Sequence, residues 1–141
     1  MITIATIQDF PSIVSLYKHL WAKWDLYDEQ RLQKMFDNDI ENKRKEYLIA
    51  KVENEVVGVC SVRFNEDWHY LKTATIDELI VSNDFRNRGI GRQLLDKACD
   101  VAREKSCYRI ELHSNIGRTG AHKFYEKYGF EKSSYFFKKK L

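Results

Sequence analysis

Residues 73–103 read TATIDELIVSNDFRNRGIGRQLLDKACDVAR, and their periodicity changes halfway along. Thr73 to Val81 is a β-branched, alternating run, stopped by the turn formers Ser82, Asn83 and Asp84. From Gly89 onward Ile90, Leu94, Leu95, Ala98, Val101 and Ala102 fall on one helical face that extends to about Lys105. A strand therefore passes through a glycine turn into a helix. Such a helix start presents unpaired N–H groups and the positive end of a dipole, and glycines let an anion approach the backbone. Arg86, Arg88 and Arg92 add guanidinium groups suited to phosphate oxygens. Two well-known phosphate loops do not fit. A Walker loop needs Gly-Lys-Ser/Thr, which is missing here. A dinucleotide fingerprint needs Gly or Ala where Leu94 stands. The remaining alternative is that Gly89 and Gly91 only permit a tight turn.

Working outward, a short alternating run at residues 2–7 precedes a helix that Asp9 can cap, with Pro11 in its first turn. Its apolar stripe is Ile13, Val14, Leu16, Tyr17, Leu20 and Trp21. Leu32, Met35, Phe36 and Ile40 mark a second helix ending near Asn42. EYLIAKVENEVVGVCSVRF (46–64) reads as two strands around a turn at Glu53, Asn54 and Glu55. CYRIELHS (107–114) is a strand, TGAHKFYEKYG (119–129) a helix closed by Gly129, and FEKSSYFFKKKL (130–141) is expected to be a last strand. The order β-α-α-β-β-β-α-β-α-β predicts an α/β fold with a mixed sheet. No repeat or linker divides it, so residues 1–141 are expected to form a single domain. Lys138, Lys139 and Lys140 would guard the edge of the last strand, rather than form a nucleic-acid patch.

The 141 residues are 43% hydrophobic, enough for one sizeable core. No apolar run reaches the roughly 18 residues of a membrane span, and MITIATIQDF lacks the features of a secretory signal. A cytoplasmic protein without membrane association is expected. Cys60, Cys99 and Cys107 match no zinc or redox spacing, which predicts free thiols and no metal site. The 24 Lys+Arg against 21 Asp+Glu give +3, a mild bias toward anionic ligands and too little for a dedicated nucleic-acid binder.

The pattern Arg-x-x-Gly-x-Gly at 86–91, after IDELIV and before an amphipathic helix, resembles the pyrophosphate loop of the GNAT superfamily of acetyl-CoA-dependent N-acetyltransferases. SNIGRTGAHKFYEKYGF is similar to that superfamily's second cofactor and catalytic segment. The resemblance spans nearly the whole chain. HYLKTATIDELIV, RIELHSN and RTGAHKFYEKYGF look like aminoalkylphosphonate N-acetyltransferases, while HLWAKWDLYDEQRLQKMF and SYFFKKKL resemble aminoglycoside 6'-N-acetyltransferases. It implies that Arg86, Asn87, Arg88, Gly89, Ile90, Gly91 and Arg92 hold the pyrophosphate of acetyl-CoA. The backbone of Leu79, Ile80 and Val81 would hold the pantetheine arm in a gap between splayed strands, and Asn115 would bond the same arm. Asn115 also suits an ordinary turn.

Acetyl transfer needs a neutral amine, a stabilised oxyanion and an acid for the departing thiolate. Tyr125 stands at the family's general-acid tyrosine; otherwise it is a packed aromatic beside Phe124. Asp77 and Glu78 are the carboxylates able to accept the ammonium proton. Neighbours on a strand face opposite ways unless a bulge re-aims them. Glu78 is the expected base, against a salt bridge on the sheet surface, with Asp77 assigned to the acceptor. Trp24, Asp25 and Tyr27 crowd the end of the first helix, beside Trp21 and Asp28, and Trp68, His69 and Tyr70 precede the 73–81 strand. Aromatic and acidic groups together suit a cationic amine. Arg63 would suit a phosphonate. His122 either touches the coenzyme or fixes the loop.

The expected function is direct acetyl transfer from acetyl-CoA to the primary amine of a small polar molecule, aminoalkylphosphonate- or aminoglycoside-like. No cysteine relay is expected. The alternatives are a protein or peptide amine as acceptor, or a CoA-binding regulatory module. A homodimer is a possible assembly.

Overall fold

The computed structural model describes residues 1–21, 25, 27–68 and 71–141. In chain order it contains β1 (Ile2–Ile4), α1 (Phe10–Leu20), α2 (Glu29–Asn42), β2 (Lys45–Val52), β3 (Glu55–Glu66), β4 (Lys72–Val81), α3 (Ile90–Glu104), β5 (Arg109–Leu112) and α4 (Thr119–Tyr128). The five strands form one sheet in sequential order, antiparallel from β1 to β4 and parallel between β4 and β5. This is the mixed sheet that the alternation of elements predicts.

Local chemistry explains most boundaries. Pro11 sits in the first turn of α1. Asp9 lies at the cap position, but its carboxylate turns back to the Thr6 N–H at 2.8 Å instead of capping the helix. Asp28 does cap α2, accepting from the Arg31 N–H at 3.1 Å. Glu53 and Asn54 both have positive φ, 48° and 67°, which gives the two-residue hairpin turn the twist needed to return the chain as β3.

The sheet is covered on both faces. Ile90, Leu94, Leu95, Ala98, Val101 and Ala102 of α3 are buried against Leu48, Val57, Cys60, Val62, Ala74 and Ile76. The predicted helical stripe and the observed core coincide at every one of these α3 positions. Leu94 and Leu95 are fully buried, each worth about 2–3 kcal/mol. On the other face Ile13, Val14, Leu16 and Tyr17 of α1, with Phe36 of α2, pack on Ile49, Val56 and Val59. Of the expected α2 stripe, Phe36 is buried and Met35 is 53% exposed.

Two irregularities matter for the site. The β3–β4 register shifts between Ser61 and Val62: Ser61 pairs with Glu78, Val62 with Ile76, and Asp77 is an extra, bulged residue. In addition, β5 pairs with β4 only from Thr73 to Ile76. Beyond that point β5 has ended, at Leu112, leaving the β4 edge from Asp77 to Val81 without a strand neighbour on the β5 side among the described residues.

The expected last strand does not form. Residues 130–141 pair with no strand of the sheet. Tyr135, Phe136 and Phe137 are consecutive and all exposed, although the Phe136 ring lies 4.6 Å from that of His113. Lys138, Lys139 and Lys140 accordingly guard no strand edge within the sheet.

Candidate active site

The bulge at Asp77 puts two adjacent carboxylates on one face of β4. Glu78 accepts a hydrogen bond from the Tyr17 hydroxyl of α1. Asp77 meets Lys45 and Arg63, which rise from β2 and β3 on that same α1–α2 face. The bulge foreseen as the exception to strand alternation is therefore present. Its effect is to give the two acids different surroundings.

Asp77 is saturated with cations. Arg63 grips it in a fork, Nε to Oδ2 and Nη2 to Oδ1, both at 3.1 Å, and Lys45 Nζ lies 3.3 Å away. Burial alone would raise the Asp77 carboxyl, but these partners hold it below the usual carboxylate range. The sheet-surface salt bridge considered for Glu78 thus belongs to Asp77. Arg63 continues into a polar ladder, with Nη1 to Asn65 Oδ1 at 2.7 Å and Asn65 Nδ2 to Thr75 Oγ1 at 2.9 Å.

Glu78 is half-buried, and among the described residues its hydrogen bond comes from the Tyr17 hydroxyl. Burial first, and then the Glu78 charge, drive the Tyr17 phenol far above its ordinary range. It remains a donor at any working pH. The Tyr17 ring stacks on Trp21, centroids 4.7 Å apart and planes 16° from parallel. Across the strand pair from Glu78, Ser61 is fully buried and its Oγ has no hydrogen-bond partner among the described residues. On the other side of Ser61 lies Tyr47, which donates to Asp39 at 3.1 Å. Burial, followed by the nearby Asp39, Glu78 and Asp77 charges, raises the Tyr47 phenol.

Sequence reasoning missed Tyr17, Lys45 and Ser61 as site residues. A signal did exist for Tyr17: a phenol within an otherwise aliphatic helix stripe needs a polar partner when buried.

The glycine turn has the geometry of an anion seat. Asn87 and Gly89 have φ of 60° and 78°, and Gly89 caps the N-terminus of α3. Nothing lies within 4 Å of the place a Gly89 Cβ would occupy. The first N–H groups of α3 therefore open onto free space, a fit for an anion. Gly91 sits closer to its neighbours, with Phe124 Cζ 3.4 Å from a built Cβ. Arg86 Nε reaches back to the Val81 carbonyl at 3.3 Å and ties the turn to the end of β4. Arg88 lies over the Phe85 ring at 5.0 Å and Arg92 over Tyr128 at 5.7 Å. Ile90 is buried in the core, so only its backbone can face a ligand.

Tyr125 is half-buried against the α3 core and edge-on to Phe130 at 5.8 Å. Burial raises its phenol, and the Arg118 charge partly opposes that. Tyr125 packs against the core cluster that contains Cys60 of β3, the strand whose Ser61 pairs with Glu78. Burial, assisted by Cys99 and Glu78, pushes the Cys60 thiol up to about 12, so it supplies no nucleophile at neutral pH. All three cysteines are free thiols.

Asn115 Oδ1 accepts from the Gly117 N–H at 2.9 Å, closing a local turn, and His122 Nε2 bonds the Asn115 carbonyl oxygen at 2.8 Å. His122 fixes this loop. The Asn115 carboxamide oxygen thus serves the turn. Of the expected acceptor residues, Asp25 and Tyr27 are exposed, and Tyr27 lies 5.7 Å from Trp21. Trp24, His69 and Tyr70 lie outside the described residues. Among the described residues no cluster of His, Cys, Asp or Glu has the geometry to hold a metal. No helix among them is long and apolar enough to cross a membrane.

The comparisons agree with this arrangement. The Acetyltransferase (GNAT) family model matches residues 13–130. An aminoalkylphosphonate N-acetyltransferase of Salmonella typhimurium is 33% identical over 138 residues, covering 97% of this chain and 88% of the relative. An aminoglycoside acetyltransferase from an uncultured soil metagenomic sample superposes with a TM-score of 0.84 at 20% identity, over 100% of this chain and 95% of its own. An acetyltransferase of Clostridium acetobutylicum solved with acetyl-CoA does so at 0.81 and 21%, over 100% and 96%. A strand that bulges and runs on past the end of its parallel neighbour, a glycine turn opening α3 and the match over residues 13–130 lead to one assignment: this chain is an acetyltransferase of the GNAT family.

Proposed function

We propose that this chain transfers the acetyl group of acetyl-CoA to the primary amine of a small molecule that also carries an anionic group, of the aminoalkylphosphonate kind. The observation that carries this reading is the division of labour between the paired carboxylates. Asp77 is neutralised by Arg63 and Lys45, so Glu78 is the acid left to receive an ammonium. A polycationic aminoglycoside would gain nothing from Arg63 and Lys45, which add positive charge to this face. A zwitterionic amine matches it, with its anionic end toward Arg63 and Lys45 and its amine toward Glu78. The 33% identity with the aminoalkylphosphonate enzyme supports the same choice.

The roles then follow from position. The first-turn amides of α3, with Arg86, Asn87, Arg88, Gly89, Ile90, Gly91 and Arg92, hold the pyrophosphate. The free β4 edge at Leu79, Ile80 and Val81 bonds the pantetheine arm, and one of its N–H groups polarises the acetyl carbonyl, a term worth about 3 kcal/mol. The Asn115 NH₂ adds a contact to the arm. Glu78 takes a proton from the ammonium, and the free amine forms the new N–C bond as the thioester C–S bond breaks. Tyr125 gives its proton to the leaving thiolate, and the second proton, shed by the acylated nitrogen as the amide forms, restores the Tyr125 phenol. Asp25 and Tyr27 border the acceptor.

The test is release of free CoA thiol from acetyl-CoA with a panel of amines. Aminoalkylphosphonates should give a kcat/KM at least about tenfold above aminoglycosides, polyamines and peptides. A peptide amine used as well or better would overturn the small-molecule reading.

A further inference from the structure

Arg63 is held at more points than its ion pair with Asp77 requires. Asp77 takes the Nε and Nη2 edge of the guanidinium, and Asn65 Oδ1 accepts from Nη1 at 2.7 Å. Asn65 Nδ2 donates in turn to Thr75 Oγ1 at 2.9 Å, and the Thr75 hydroxyl donates to Glu111 Oε1 at 3.5 Å. Arg109 Nε, 2.9 Å from Glu111 Oε2, secures the far end. The chain crosses β3, β4 and β5, where the register sets Arg63 opposite Thr75 and Thr75 opposite Glu111.

The two ends force the direction of this chain, because a guanidinium only donates and a carboxylate only accepts. Thr75 has one hydroxyl proton, drawn to Glu111, so its oxygen accepts from Asn65. Asn65 therefore turns its NH₂ to Thr75 and its carbonyl oxygen to Arg63. Thr75 is 4% exposed, which removes solvent as a competitor for its hydroxyl. Among the described residues these contacts use three of the five N–H groups of Arg63 and leave one on each terminal nitrogen. The Arg63 side chain is 44% exposed, so a ligand can reach them. Lys45 and Arg63 against Asp77 also leave one positive charge uncompensated.

We infer that Asn65, with Thr75 and Glu111 behind it, is a positioning residue that sets Arg63 to receive the phosphonate of the acceptor. This rests on the zwitterionic acceptor proposed above. Two N–H groups match two phosphonate oxygens only while the guanidinium plane is fixed. Asp77 fixes one edge of that plane, and Asn65 fixes the nitrogen that Asp77 does not touch. Arg63 lies two residues along β3 from Ser61, the partner of Glu78, a step of about 7 Å. A short aminoalkylphosphonate with its hydrogen bonds spans that step, amine toward Glu78 and anion toward Arg63.

The test measures kcat and KM separately for aminoethylphosphonate and for ethylamine, which lacks the anion. The wild type should prefer aminoethylphosphonate; equal kcat/KM for the two would overturn the zwitterionic reading and this inference with it. With that preference present, Asn65→Ala and Thr75→Val should each raise KM for aminoethylphosphonate about tenfold, with its kcat and the KM for acetyl-CoA within about twofold of wild type. Thr75→Ser keeps the hydroxyl and should keep the wild-type KM. An unchanged KM in either Asn65→Ala or Thr75→Val would overturn the positioning role while leaving the zwitterionic reading intact. So would an equal loss with ethylamine, or a KM in Thr75→Ser raised as far as in Thr75→Val. If Asn65→Ala fails to fold, the two Thr75 variants still decide.

Discussion

The Tyr17 hydroxyl on α1 donates a hydrogen bond to the Glu78 carboxylate on β4, joining the helix that leads into the acceptor region to the proposed base. The bond fixes one oxygen of Glu78 and leaves the other for the amine. Tyr17→Phe keeps the ring and its stacking on Trp21 but frees the carboxylate to rotate. The expected result is a fall in kcat/KM for the amine of about tenfold, with KM for acetyl-CoA unchanged. An equal loss in acetyl-CoA affinity would instead make Tyr17 a packing residue.

Tyr125 is held protonated by burial, which suits a group that must still carry its proton when the thiolate leaves. Tyr125→Phe should lower kcat by about 10²–10⁴-fold while acetyl-CoA binding stays within twofold. Calorimetry for binding and steady-state kinetics for turnover separate the two quantities. Unchanged turnover with a good acceptor would remove the acid role.

The two glycines of the turn should respond differently. Gly89 has a φ of 78° and open space around it. Gly89→Asp therefore strains the turn and places a carboxylate where the pyrophosphate would sit. CoA affinity should fall by more than about tenfold. At Gly91 an added methyl meets Phe124 at ordinary contact distance, and Gly91→Ala should bind CoA nearly as well as the wild type. Equal behaviour of the two variants in a CoA titration would contradict the proposed seat.

Asp77 links stability to pH. Its folded pKa lies below the unfolded value of about 3.9, so its ionised form stabilises the fold at higher pH. That contribution disappears as the pH falls through the folded pKa. Asp77→Asn should cost on the order of 1 kcal/mol at neutral pH, after allowance for solvent screening, and the two proteins should converge in strong acid. Urea melts at several pH values check this. The variant also frees Arg63 and Lys45, so KM for an aminoalkylphosphonate should drop.

Most of this architecture is legible in the sequence because burial imposes periodicity. The α3 stripe from Ile90 to Ala102 could be read directly, as could the positive-φ turn at Glu53 and Asn54. The bulge at Asp77 could not be read, since alternation alone assigns Asp77 and Glu78 to opposite faces. Only the cross-strand register with Ser61 and Val62 shows them on the same one. Segment 130–141 was misread for a related reason: β propensity describes what a segment can do, while a strand also requires an edge to pair with. The Asn115 side chain shows the limit at single residues, because an Asn in a turn and an Asn beside a ligand have the same sequence. Tyr17 was legible as core but not as a hydrogen-bond donor, since its acceptor lies 61 positions away.

The most direct test is the Glu78→Gln variant assayed by thiol release with an aminoalkylphosphonate as acceptor. Glutamine keeps the shape and can still accept from Tyr17, but it cannot take the ammonium proton. The predicted result is a loss in kcat of about 10²-fold or more at neutral pH, partly recovered as rising pH deprotonates the amine in solution, with acetyl-CoA affinity unchanged. Wild-type turnover by this variant across the same pH range would contradict the assignment of Glu78 as the base.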